Sequence, residues 1–129
     1  MATLTFRKEE RLKGKKDFDA VFKSKTSFIL YPFRVFWQVS EGEMIYPAKL
    51  GISVPKRNFK LAVKRNRIKR QIREAYRKNK DILYEHLKLK GMNLLIALLY
   101  TAKEQLTSAE TGTKIKEVLL RLNKENAAT

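Results

Sequence analysis

The 129-residue chain contains no cysteine. That removes disulfides, thiolate zinc sites and cysteine nucleophiles together, and it fits a reducing compartment. Histidine occurs once, at His86. A single histidine supplies neither a two-histidine nuclease nor an HExxH site, and five scattered glycines do not make a P-loop or a GxGxxG loop. No stretch approaches the roughly 18 apolar residues of a membrane span. The N-terminus, MATLTFRKEERLKGKK, lacks the apolar centre of a signal peptide. Acidic residues are scarce too, with 13 Asp and Glu against 29 Lys and Arg, for a formal net charge of +16. Most protein-borne catalytic machinery is excluded by this inventory. What remains suits one domain with a modest core and a polyanionic partner, nucleic acid before membrane.

The charge is concentrated. Residues 56–78, KRNFKLAVKRNRIKRQIREAYRK, hold eleven basic residues and one acid, Glu74. They contain no Pro or Gly and many good helix formers. On a helix, Leu61, Ile68, Ile72 and Ala75 share one face with Tyr76 at its edge, while Asn66, Arg70, Arg73 and Arg77 form a stripe on the opposite face. A charged helix face is ordinarily just solvated, but such faces mix signs, because like charges at i, i+4 repel. A row of guanidinium groups, each able to grip a phosphate with two hydrogen bonds, reads better as a phosphate-binding surface.

The remainder predicts an α/β sandwich. Residues 1–16 read as an extended basic terminus, either frayed or laid along a phosphate backbone, with residues 1–10 expected to be flexible. Asp17 is placed to cap a short helix ending near Lys23, with Phe18, Val21 and Phe22 on one face. That face fits a core as well as a ligand surface. Residues 28–39 read as one strand, with Pro32 as an entry kink, Phe33, Val35, Trp37 and Val39 inward, and Arg34, Phe36 and Gln38 outward. Residues 46–54 read as its hairpin partner, with Gly51 on the outer face marking either a close approach or a twist or bulge. The basic helix follows and continues or restarts through residues 79–90. His86 lies at its boundary. NLLIALLY, residues 93–100, reads as a strand buried on both faces. Thr107 and Glu110 form a capping box for a last helix to about Leu122, and residues 124–129 are expected to fray. A single domain spans residues 1–129.

One segment carries a family resemblance. AVKRNRIKRQIRE, residues 62–74, resembles the RNR-type helix of the bacterial ribonuclease P protein component. Arg11-Leu12 with Asp17-Phe18 and Val21-Phe22-Lys23 is similar to that family's opening, and Leu50-Gly51-Ile52-Ser53-Val54 before Lys56-Arg57 is similar to its second strand motif. The family's usual Gly-x-Ala-Val approach to the helix is here Phe59-Lys60-Leu61-Ala62-Val63, without the glycine.

The resemblance implies a ribosomal protein S5 domain 2-like fold, with one mixed sheet and a left-handed β-α-β crossover around the basic helix. It implies a subunit of an Mg²⁺-dependent endoribonuclease that removes the 5′ leader of precursor tRNA. The catalytic groups, and Mg²⁺, would belong mainly to a catalytic RNA; the protein, one copy per RNA and cytoplasmic, would not cut alone. By position, Arg65, Asn66, Arg67, Lys69, Arg70, Arg73 and Arg77 would contact the catalytic RNA. Phe18, Phe22, Arg34, Phe36, Lys56 and Arg57 would form the leader cleft. The competing expectation is a structural RNA-binding protein of ribosomal type with no part in cleavage.

Overall fold

The computed structural model describes residues 6–12 and 14–127. Its frame is a mixed sheet in the order β1-β2-β4-β3, made of β1 (Ser27–Leu30), β2 (Phe33–Ser40), β3 (Ala48–Ser53) and β4 (Asn93–Tyr100). The described helices are α1 (Gly14–Phe22), α2 (Ala62–Asn79), α3 (Asp81–Lys90) and α4 (Ser108–Ala127). One sheet face carries the main core. There Phe33, Val35, Trp37, Leu50, Ile96 and Leu98 meet Ile68, Ile72 and Tyr76 of α2, Leu83 and Leu87 of α3, and Ile115, Leu119 and Leu122 of α4. On the other face α1 packs through Val21, Phe18 and Phe22. The α/β sandwich expected from the sequence is what forms.

β4 explains the strand order. Its residues are apolar on both sides, so the central position buries both. It lies antiparallel to β2 and parallel to β3. The hairpin expected between β2 and β3 is therefore not made; β4 separates them, and α2 and α3 form the connection from β3 to β4. A β2–β3 hairpin would have left the most apolar strand with an open edge. The expected single strand over residues 28–39 is also two strands, paired antiparallel around a Tyr31–Pro32 turn with a cis peptide bond. Proline has no N–H for the ladder, so the pairing breaks there. The Pro32 carbonyl instead accepts from Thr101 N and Oγ1 at 2.7 and 3.0 Å.

Helix ends differ from expectation in instructive ways. α1 begins at Gly14, three residues before Asp17, so Asp17 lies in its first turn, where a carboxylate favours the helix dipole. α2 begins after Leu61, which is 70% exposed rather than in the core, because the helix reaches the sheet only from Ile68 onward. Gly91 closes α3 in the left-handed region, φ 62°, with its N–H and that of Met92 returning to Lys88 O and Leu87 O at 3.2 and 3.0 Å. At α4 the capping box is present: Glu110 N donates to Thr107 Oγ1 at 3.1 Å, and Thr107 N donates to Glu110 Oε1 at 3.0 Å. α4 then runs beyond Leu122 to Ala127, with Asn126 buried. Val39, expected inward, is exposed where β2 passes the end of the core. Residues 1–5 and 128–129, within the expected frayed ends, lie outside the described residues.

Candidate nucleic-acid interface

On the α1 side of the sheet the strand register aligns residues into rows. Ser27, Phe36, Ala97 and Gly51 face one another across the four strands, and Ile29, Arg34, Leu99 and Ser53 form the next row. α1 sits on the first row. Gly51 makes this possible: a Cβ there would lie 2.6 Å from Phe18 Cδ2 and 2.8 Å from Cε2. The absent side chain admits the Phe18 ring, which answers the close approach expected at Gly51. Phe18 meets Phe22 edge-on at 5.1 Å between centroids, and Phe22 meets Phe36 at 4.5 Å.

This packing corrects one expectation. Phe36 is only 7% exposed, because α1 covers it. It is the floor of the aromatic cluster and offers little ring face to a base. Phe18 and Phe22 stay half-buried above it. The second row is more open. Ile29 is 72% exposed, and Arg34 is exposed with its guanidinium 5.2 Å over the Phe36 ring. The row ends at Ser53, and exposed Lys56 and Arg57 follow in the turn after β3. The structure thus brings Phe18, Phe22, Arg34 and Phe36 together on one side of the sheet as ring and cationic surface, with Lys56 and Arg57 exposed in the turn beyond β3.

α2 presents the cations. Asn66, Arg67, Arg70 and Arg73 are exposed, and Lys69 is half-buried. Two arginines are engaged within the protein. Arg65 donates from Nη1 to Phe59 O at 2.7 Å and Lys60 O at 3.0 Å. α2 has no side-chain cap at Leu61, and this arginine fastens the approach loop that lacks the family's glycine. Arg77 donates to Glu74, with Nε–Oε2 at 3.2 Å. The hydrogen bond to Glu74 raises the Arg77 pKa, and that same bond holds the Glu74 carboxyl below the usual range. The stripe therefore has more internal relief than the sequence suggested. Partial burial, and then the nearby charge of Arg11, lower the Arg73 pKa.

Beside α2 runs a groove of about 300 Å³ toward α4, lined by Arg70, Gln71, Lys78, Ser108 and Gly112 among others. Gln71 Nε2 donates to Ser108 Oγ at 3.3 Å, and Gln105 Nε2 donates to Gln71 Oε1 at 3.1 Å. Sequence reasoning missed these residues, since nothing in the local pattern brings α4 beside α2. His86 is half-buried, with Nε2 lacking a hydrogen-bond partner. Among the described residues no three of His, Cys, Asp or Glu cluster, and no helix is long and apolar enough to cross a membrane.

Known proteins resemble this chain in sequence and in fold. A family model described as Ribonuclease P matches residues 6–123. The ribonuclease P protein component of Porphyromonas gingivalis strain ATCC 33277 is 39% identical over 104 residues, covering 80% of this chain and 75% of that protein. The component from Stutzerimonas stutzeri is 33% identical over 125 residues, covering 96% and 88%. A solved RNase P protein from Thermotoga maritima superposes with a TM-score of 0.69 at 27% identity, over 87% of this chain and 96% of that one. A Staphylococcus aureus RNase P protein, a mutant with defective mRNA degradation activity, gives 0.70 at 28% identity, over 91% and 90%. With the match spanning the sheet, the basic helix and the aromatic cluster alike, this chain belongs to the ribonuclease P protein family.

Proposed function

We propose that this protein binds the catalytic RNA of ribonuclease P and the single-stranded 5′ leader of precursor tRNA, and so assists removal of the leader. The observation that carries the reading is the exposed cationic face of α2 on the same molecule as the Phe18–Phe22 strip. Asn66, Arg67, Lys69, Arg70 and Arg73 meet phosphates of the catalytic RNA. Arg65 acts chiefly by holding the loop before the helix, and Arg77 shares its charge with Glu74. Binding releases condensed counterions, so affinity falls steeply with salt. Unpaired leader bases stack on Phe18 and Phe22 with little sequence preference, each contributing about 1–3 kcal/mol. Phe36 supports those rings from below. Arg34, Lys56 and Arg57 meet the leader phosphates.

In this reading the protein supplies position. Holding leader and catalytic RNA in one arrangement removes much of the entropy cost of bringing them together. The bond-breaking groups and the Mg²⁺ belong to the RNA, one protein serves one RNA, and the site of action is the cytoplasm. The test adds the protein to a bacterial ribonuclease P RNA at low Mg²⁺ and follows leader release. Cleavage is expected to rise with the protein present, and the protein alone to leave the precursor whole. Phe18→Ala is expected to weaken precursor binding about tenfold while sparing mature tRNA. Equal loss for both RNAs refutes the leader role, and RNA binding without any gain in cleavage favours a purely structural RNA-binding protein.

A further inference from the structure

Residues 6–12 form a strap along the β3 side of the sheet. Leu12 N donates to Leu50 O at 3.1 Å, and Arg11 bridges Leu50 in parallel register. The strap is fixed by Glu10, which is wholly buried. Its Oε1 accepts from Lys80 Nζ at 2.5 Å and from Tyr84 OH at 2.6 Å, and its Oε2 accepts from Arg7 N at 2.7 Å. Lys80, itself 4% exposed, stands where α2 gives way to α3, over the rings of Tyr84 and Tyr46 at 5.3 and 5.8 Å. Burying a carboxylate is costly unless it is fully paired, and two apolar residues in place of Glu10 and Lys80 could fill this space without that cost. What the ion pair adds is a fixed register.

The register fixes Arg11. Its guanidinium lies 5.0 Å over the Phe6 ring and donates from Nη2 to Phe6 O at 3.1 Å. Phe6 in turn packs edge-on against Tyr76 of α2 at 5.5 Å. Tyr76 is three residues from Arg73, so the two lie on adjoining parts of the helix surface. Partial burial first, and the nearby charge of Arg11 second, lower the Arg73 pKa. Among the described residues Arg11 has no carboxylate partner. Two like charges held near one another without an acid call for an anion from outside.

We infer that Arg11 and Arg73 form a clamp for a phosphodiester of the partner RNA, and that Glu10 is the positioning residue that, through Lys80 and Tyr84, holds Arg11 in place. The inference rests on the RNA-binding reading of α2. It extends the cationic face from one helix onto the N-terminal strap.

The test is equilibrium binding of the full chain to a transcribed bacterial ribonuclease P RNA across a potassium chloride series. Arg11→Ala is expected to weaken binding roughly tenfold and to make the log–log salt slope shallower by about one. Arg70→Ala is the reference: no loss there overturns the RNA-binding reading itself, whereas loss there with none for Arg11→Ala overturns only the clamp. Glu10→Gln is expected to weaken binding in the native background and to add nothing in the Arg11→Ala background. Equal losses in both backgrounds make Glu10 merely structural and overturn its positioning role. Should E10Q not fold, Tyr84→Phe serves in the same cycle, since it keeps the ring and removes one hydrogen bond to the carboxylate.

Discussion

Gly51 and Phe18 show how one missing side chain sets the position of a helix. A methyl group at Gly51 would overlap the Phe18 ring, which is hemmed in by Phe22. Gly51→Ala is expected to lift α1 and cost about 1–3 kcal/mol, read as a lower thermal midpoint together with weaker leader binding. An unchanged midpoint would mean that the ring yields freely. At the other end of the fold, Thr107 and Glu110 cap α4 reciprocally. The backbone and then the hydroxyl of Thr107 hold the Glu110 pKa below its ordinary value. A carboxyl depressed in the fold contributes stability above its unfolded pKa, near 4.3, and loses that contribution as pH falls through the lower folded value. Thr107→Ala is expected to cost about 1 kcal/mol and to bring the Glu110 titration only part of the way back to its ordinary value, because the backbone N–H at 107 remains; a carboxyl NMR titration reads this directly.

At the scale of the element, α2 has two faces with separate tasks. Ile68, Ile72, Ala75 and Tyr76 bury against the sheet, and the cations take the rest. Periodicity shows this in the sequence because a helix repeats every 3.6 residues whatever lies beneath it. It does not show which cations are already in use. Arg65 turns back to the Phe59 and Lys60 carbonyls, and Arg77 pairs with Glu74. Glu74→Gln removes the acid of the stripe and leaves more of the Arg77 charge for RNA. Affinity for the catalytic RNA is expected to rise about two- to fivefold, with a steeper salt dependence, in a filter-binding titration. Unchanged affinity would place Arg77 outside the interface.

Across the whole molecule, the Glu10–Lys80 pair joins the strap of residues 6–12 to the junction of α2 and α3. Lys80→Ala leaves a buried carboxylate without its cation, and the expected cost is about 3–5 kcal/mol, a large share of an ordinary domain's stability. Urea denaturation measures it as a lower midpoint. Glu10→Leu combined with Lys80→Met is expected to recover most of that loss, because two apolar groups need no pairing. A midpoint unmoved by Lys80→Ala would show that water reaches Glu10 and that the strap is loosely held.

The sequence by itself determined the basic helix, the buried strand at residues 93–100, the Thr107 cap and the surplus of positive charge. Each depends on local periodicity, on a short hydrogen-bonding motif or on net charge, and none needs a distant neighbour. Tertiary structure alone decided that β4 enters between β2 and β3, that Phe36 is roofed by α1, and that Glu10 finds Lys80 seventy residues away. The reason is physical: an apolar strand goes where both its faces can be buried, and a ring or a carboxylate takes its environment from whichever segments that choice brings beside it.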